Sequence, residues 1–214
     1  MPDEAQPRIR ALLEIDNADL IHNDLANAAF HFTERVRKAI ETGEREGVGH
    51  DMMAALTMTA FAYEAYLNFI GNAVIEHWDE RQSLWKKERQ IVESLGLQWK
   101  ENERPRSTTR ELRDFRDVLA HGKPVLTKQK QEAKGTDSEL QTLLRNYKPE
   151  WEAKLDPDFV NRAYEDVEVM WRAMLEAGQI NVIETISHGS RTITFLAHVE
   201  PEREKPTEHG DGAA

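Results

Sequence analysis

The sequence contains no cysteine. Disulfides and thiolate zinc sites are thereby excluded, and the composition fits the cytoplasm. No apolar run approaches the length of a membrane span, so no membrane association is expected. The opening MPDEAQPRIRALLEIDN lacks the cationic start and apolar stretch of a secretory signal. Cations are in deficit: 28 Lys and Arg face 39 Asp and Glu, for a net charge of −11. That balance argues against a protein that binds nucleic acid over its whole surface. No repeat of solenoid period is present. The histidines lack metal-ligand spacing, so neither a metal nor another cofactor is expected. What remains is a chain of 214 residues, enough for one domain with a real core.

Helical periodicity fills most of that length. A first helix is expected over 17–42, capped by Asp16 or Asn17, with Ile21, Leu25, Ala28, Phe32, Val36 and Ile40 at helical spacing. After three glycines, DMMAALTMTAFAYEAYLNFIGNAVIEHW (51–78) is apolar almost all round, as the most buried helix of a bundle should be. A shorter helix follows over 83–95. Ser107 or Thr108 can cap a fourth, which Gly122 and Pro124 end near His121. The polar stretch from 125 to 151 reads as a connection with one helical piece at 138–146. Asp156-Pro157-Asp158 then supplies a cap, a proline and an acid for a last helix. Its stripe is Phe159, Ala163, Val167, Met170, Trp171 and Met174. INVIETIS and RTITFLAHV, separated by His188-Gly189-Ser190, predict a β-hairpin. The composition from 200 onward predicts a disordered tail. The expected organisation is therefore an N-terminal arm (1–16), a helical bundle (17–178), a hairpin (179–199) and a tail (200–214). The class is all-α, a mainly antiparallel bundle of four to five helices with a small C-terminal β-hairpin.

Charge is unevenly spread. Between Arg104 and Lys130 stand eight cations and three anions, a local +5 that leaves −16 for the rest. This is either a solvated basic helix with a basic loop after it, or a local phosphate-binding patch on an acidic body. The segment RDFRDVLAHGKP (113–124) concentrates the question. Cations suit a helix C-terminus, which accounts for each of them singly. Arg116, however, borders the Leu112–Phe115–Leu119 stripe, where a guanidinium needs an anion or an outlet to water. Asp117 can reach Arg113 or His121, each four residues away. Arg116 and His121 are separated by about 140° on an ideal helix. They meet only if the last turn unwinds or a second copy of the helix faces the first. Within the apolar second helix, Glu64, Asn68 and Asn72 make a narrow polar stripe. Glu64 is either a rim carboxylate or the partner of Arg116.

Arg116-Asp117-Val118-Leu119-Ala120-His121 resembles the signature of HEPN domains (higher eukaryote and prokaryote nucleotide-binding), an arginine followed by a histidine four to six residues on. The FAYEAYLNFIGN stretch is also similar to this superfamily. The likeness extends over 17–178 in helix order and is detailed only in these two stretches. Many members have asparagine where this chain has Asp117. The resemblance implies a metal-independent endoribonuclease working as a homodimer, with the two motifs meeting at the interface. His121 would then act as general base or acid at the ribose 2′-hydroxyl. Arg116 would hold the scissile phosphate, and Asp117 would orient one of the two. Glu64 and Asn68 would support them, and Arg110, Arg113 and Lys123 would contact the RNA. It also implies a toxin or defence effector, countered by an antitoxin protein. Two alternatives remain: a non-catalytic interaction or nucleotide-binding module of the same fold, or a structural helical protein with a chance motif. The other histidines (His22, His31, His50, His77 and His188) are expected at the surface.

Overall fold

The computed structural model describes residues 8–122, 124, 126–128 and 130–199. The expected tail, 200–214, lies outside the described residues. The chain divides into two compact units, 20–186 and a unit built from both ends, 1–19 with 187–214.

The first unit is helical. Its elements are α1 (Ile21–Thr42), α2 (Val48–Val74), α3 (Leu84–Ser94), α4 (Arg106–His121), α5 (Asp137–Arg145) and α6 (Pro157–Ala177). The mainly helical class and the order of helices agree with expectation, with α5 the short piece in the connection. α2 is the central helix and packs against α1, α3, α4 and α6. Ala55, Leu56, Ala60, Tyr63, Leu67 and Ile70 bury it, which explains its apolarity all round. α2 stops at Val74 rather than 78. Trp78 turns back over Gly71, where a side chain would lie 2.3 Å from the indole. α6 begins as its sequence dictates: the Asp156 carboxylate accepts the Phe159 N–H at 3.0 Å, with Pro157 at the first helical position. The whole predicted α6 stripe is buried.

Three expectations for this unit change. α1 turns toward the core through His22, Ala29, Thr33 and Val36, while Ile21 and Ile40 stay exposed. Small side chains on this face let α1 lie close to α2. α4 starts at Arg106, one residue before Ser107, with no side-chain cap. There the Arg106 guanidinium is drawn inward onto Glu88 at 2.6 Å, and Thr108 and Thr109 are buried. Finally, His22 is not a surface residue. It sits among the rings of Tyr66, Phe69 and Trp171 and is 3% exposed.

The Thr185 carbonyl can only accept, so His22 Nε2–H donates to it across 3.1 Å. Asn23 donates to the same oxygen at 2.7 Å, and the 180–186 segment is pinned to α1. Burial lowers the His22 pKa, and the Thr185 bond opposes that shift less strongly. Below the ordinary imidazole value of about 6.5, the unfolded chain takes up a proton that the buried ring resists. Stability that is complete above this pH should therefore decline as pH falls toward the depressed folded-state value. His22→Gln keeps a donor toward Thr185 but does not titrate. Its Tm should fall less than that of wild type between pH 7.5 and 5.5, by calorimetry at fixed ionic strength. Equal falls would remove His22 as the source.

The second unit is a two-stranded antiparallel ribbon, β1 (Ile9–Ala18) with β2 (His188–His198). A small antiparallel β element was expected; RTITFLAHV supplies one of its strands as predicted, and INVIETIS does not supply the other. Val182–Thr185 forms a 3-10 turn instead of a strand. The Asn181 side chain caps it, and Glu184 returns a bond to the Asn181 N–H. β2 pairs with β1 from the opposite end of the chain, so residues 9–16 of the expected N-terminal arm are strand. The alternation of Ile9, Ala11, Leu13 and Ile15 carries that strand signal. In the ribbon, Gly189 faces Asn17 so closely that a Cβ would lie 2.2 Å from its Oδ1.

Candidate active site

α2, α3 and α4 bring four charged side chains together. Glu64 of α2 receives Arg116 Nη2 of α4 at 3.0 Å on one carboxylate oxygen. Its other oxygen receives Lys87 Nζ of α3 at 2.8 Å. Arg116 Nη1 also donates to Asp117 at 2.9 Å, and its guanidinium lies 5.9 Å from the centre of the Phe61 ring. Of the two readings of Glu64, partner of Arg116 is the one observed. The carboxylate is shared between a half-buried guanidinium and an ammonium that is 1% exposed.

Lys87 was not among the expected residues, although the sequence carries a signal for it. In LWKKERQIVES the apolar stripe runs Leu84, Ile91, Val92, and positions 87 and 88 fall within it. Both are charged and both are buried. Glu88 anchors a second polar cluster. It accepts from Tyr63 Oη at 2.9 Å, Arg106 Nε at 2.6 Å and, more loosely, Thr109 Oγ1 at 3.4 Å. Burial first, then the Glu88 charge, pushes the Tyr63 hydroxyl well above its ordinary pKa, so it stays a donor. The two clusters lock α2, α3 and α4 in one arrangement behind the Arg116 face.

Asp117 turns to its neighbour Arg116 and not to Arg113 or His121. Arg113 instead bonds Asp114 through Nε at 3.2 Å and Nη2 at 2.9 Å. Arg110 donates to Asn102 at 3.2 Å and is exposed. Asn68 lies one turn beyond Glu64. Its backbone carbonyl accepts from Asn72 at 2.9 Å, and its Oδ1 is buried with no partner among the described residues. Lys123 lies outside the described residues.

His121 is the last residue of α4, exposed, with Gly122 capping the helix in the left-handed region at φ 47°. The α-helix is intact to that point. Arg116 and His121 therefore leave the axis about 140° apart, and an unwound last turn does not bring them together. His121 instead continues the α4 face of Asp114 and Val118, seven and three residues earlier. Those two side chains line a cavity of about 670 Å³, with Trp151, Arg110 and Arg162 among its other walls. Arg116 faces α2.

Four cations of the basic segment are ion-paired. Arg104 makes a bidentate pair with Asp166, Arg106 with Glu88, Arg113 with Asp114, and Arg116 with Glu64 and Asp117. Acids from α2, α3 and α6 thus reach the segment, while Lys87, Lys154 and Arg162 pair in turn with Glu64 and with the segment's own Glu111. Among the described residues no cluster of three His, Asp or Glu is placed to hold a metal, and no helix is long and apolar enough to cross a membrane. No protein-family model, curated protein or solved structure matches the chain.

Proposed function

We propose that the helical unit is a metal-independent endoribonuclease of HEPN type, acting as a homodimer with a composite site. The observation that carries this reading is the intact α4. It presents a clamped Arg116 on one side and an exposed His121 on another, as two half-sites. A second copy supplies the missing half to each. His121, near neutral pH, takes the proton from a ribose 2′-hydroxyl. The 2′-oxygen attacks the phosphorus, the P–O5′ bond breaks, and the 5′-oxygen leaves with a proton drawn from water, to which His121 in turn releases the proton it took. Arg116 carries the charge that develops on the phosphoryl oxygens, exchanging one of its carboxylate partners for the phosphate. The cavity along the His121 face gives flanking nucleotides room beside Trp151. A protein of this kind would work in the cytoplasm as a toxin or defence effector, restrained by an antitoxin protein.

Purified protein incubated with total RNA in EDTA is expected to release fragments ending in 2′,3′-cyclic phosphate. Fragments ending in 3′-hydroxyl, or no fragments at all, would reject the chemistry. One observation favours a second reading, a non-catalytic interaction or nucleotide-binding module of the same fold. Arg116 already holds two carboxylates, at 3.0 and 2.9 Å. That reading expects retained RNA or nucleotide binding with no scission in the same incubation.

A further inference from the structure

Arg116 holds two carboxylates, and the two are not equivalent. Glu64 is fixed from both sides: Arg116 Nη2 reaches one oxygen at 3.0 Å and Lys87 Nζ the other at 2.8 Å. The Lys87 side chain is 1% exposed, against 27% for Glu64. An ammonium shut away from water needs its anion, because leaving it unpaired costs far more than breaking a pair at the surface. Glu64 is therefore the fixed end of the network. Asp117 is the loose end. It follows Arg116 on the same helix, its side chain is 45% exposed, and it accepts from Arg116 Nη1 at 2.9 Å. A pair this exposed contributes little, since water solvates the released carboxylate at once.

The guanidinium is thus held unevenly. Glu64 ties its Nη2 to α2, and the ring of Phe61, also on α2, lies 5.9 Å from its carbon. Nη1 is the nitrogen whose partner can leave. A phosphate oxygen and a carboxylate oxygen ask the same of a guanidinium N–H, an anionic acceptor at about 2.7–2.9 Å. The Asp117 oxygen therefore occupies a place that a phosphate oxygen can take.

We infer that Lys87 is a positioning residue for the phosphate site: through Glu64 it holds Arg116 by Nη2, and the substrate phosphate replaces Asp117 at Nη1. This inference rests on the nuclease reading and adds to it which carboxylate yields and what keeps the other in place. Lys87 acts only through Glu64 and touches no reacting atom. Without its ammonium, Glu64 is anchored by Arg116 alone, and the guanidinium loses the fixed point from which it meets the phosphate. Asp117, by contrast, competes with the substrate. The two carboxylates should then move different kinetic constants.

The full-length protein with total RNA in EDTA provides the test. Affinity is measured in a His121→Ala background, and turnover in proteins that keep His121. Asp117→Asn should tighten RNA binding by ~5-fold or more, with a matching fall in KM and kcat retained. Glu103→Gln, which removes one charge from an exposed carboxylate on Lys100, should change neither constant. Lys87→Met should lower kcat by ~10-fold with KM little changed, as a misplaced phosphate donor requires. Lys87→Met combined with Glu64→Gln should be no slower than the slower single variant, because both cut one link. Circular dichroism accompanies each protein, and multiplied losses in the double variant would mark independent damage and overturn the inference. An Asp117→Asn protein that binds RNA no tighter would overturn it too, as would wild-type kcat in Lys87→Met. In each of these outcomes cleavage by wild type leaves the nuclease reading standing. Absence of wild-type cleavage would instead reject that reading, and this inference with it.

Discussion

His121→Ala and Arg116→Ala should each lose RNA cleavage by ~10²–10⁴-fold, the usual range for a general base or a phosphate-holding donor. Mixed after subunit exchange, the two inactive proteins should recover about a quarter of wild-type activity. The reason is combinatorial. Half of the randomly paired dimers are mixed, and in each mixed dimer one of two composite sites keeps an intact arginine from one copy and an intact histidine from the other. The intact helix through His121 makes this a sharp expectation, because one chain alone cannot bring the two side chains together. A site contained in one chain would give no recovery. Cleavage by both variants at wild-type rate would point to a contaminating nuclease and end the assignment. Far-ultraviolet circular dichroism accompanies the assay, since Arg116 also bonds Glu64.

The second large effect is on stability, and it is asymmetric. Glu64→Ala should lower the unfolding free energy by about 3 kcal/mol, read from urea denaturation midpoints at constant m. The loss comes from Lys87, whose ammonium is 1% exposed and whose anion is Glu64. Lys87→Met should cost less than about 1 kcal/mol, because it fills the same space with an apolar chain. Glu64 then still pairs with Arg116 at 3.0 Å and keeps partial access to water. Adding Glu64→Leu to Lys87→Met should be far milder than Glu64→Ala alone. Equal costs for the two single variants would show that Lys87 does not depend on Glu64. The same pair bears on function. If Glu64 positions Arg116, Glu64→Gln should reduce kcat for RNA while leaving its KM little changed.

Particular residues show how far a one-dimensional reading reaches. The Glu64–Arg116 pair was legible, because a carboxylate on the most apolar helix and a guanidinium beside an apolar stripe each need a partner. Lys87 was legible in principle from its place on the α3 stripe. The path of α4 was readable to its end, since Gly122 stops it. That Asp117 chooses Arg116 over Arg113 or His121 was not readable, because several cations lie within reach on the helix. The charge around the 104–130 segment was not readable for a related reason. Counting along the chain omits Asp166 and Glu88, and equally Lys154 and Arg162, which arrive from elsewhere in the chain.

Amphipathic periodicity, caps and glycine stops are local, and they alone indicated a bundle of four to five helices, the order of its elements and α2 as the most buried of them. They also indicated a strand at RTITFLAHV, although His188-Gly189-Ser190, read as a turn, belongs to that strand. Its partner depended on the other end of the chain. Strand pairing between residues nearly 190 positions apart leaves no local mark beyond two-residue alternation, and nearby INVIETIS offered a closer, wrong candidate. Burial of His22 was likewise a tertiary decision, since three rings from α2 and α6 surround it. Sequence placed Arg116 and His121 on one helix and set the angle between them. Tertiary structure decided which partners Arg116 takes, Glu64 from α2 and Asp117 beside it, and left His121 exposed at the end of the intact helix.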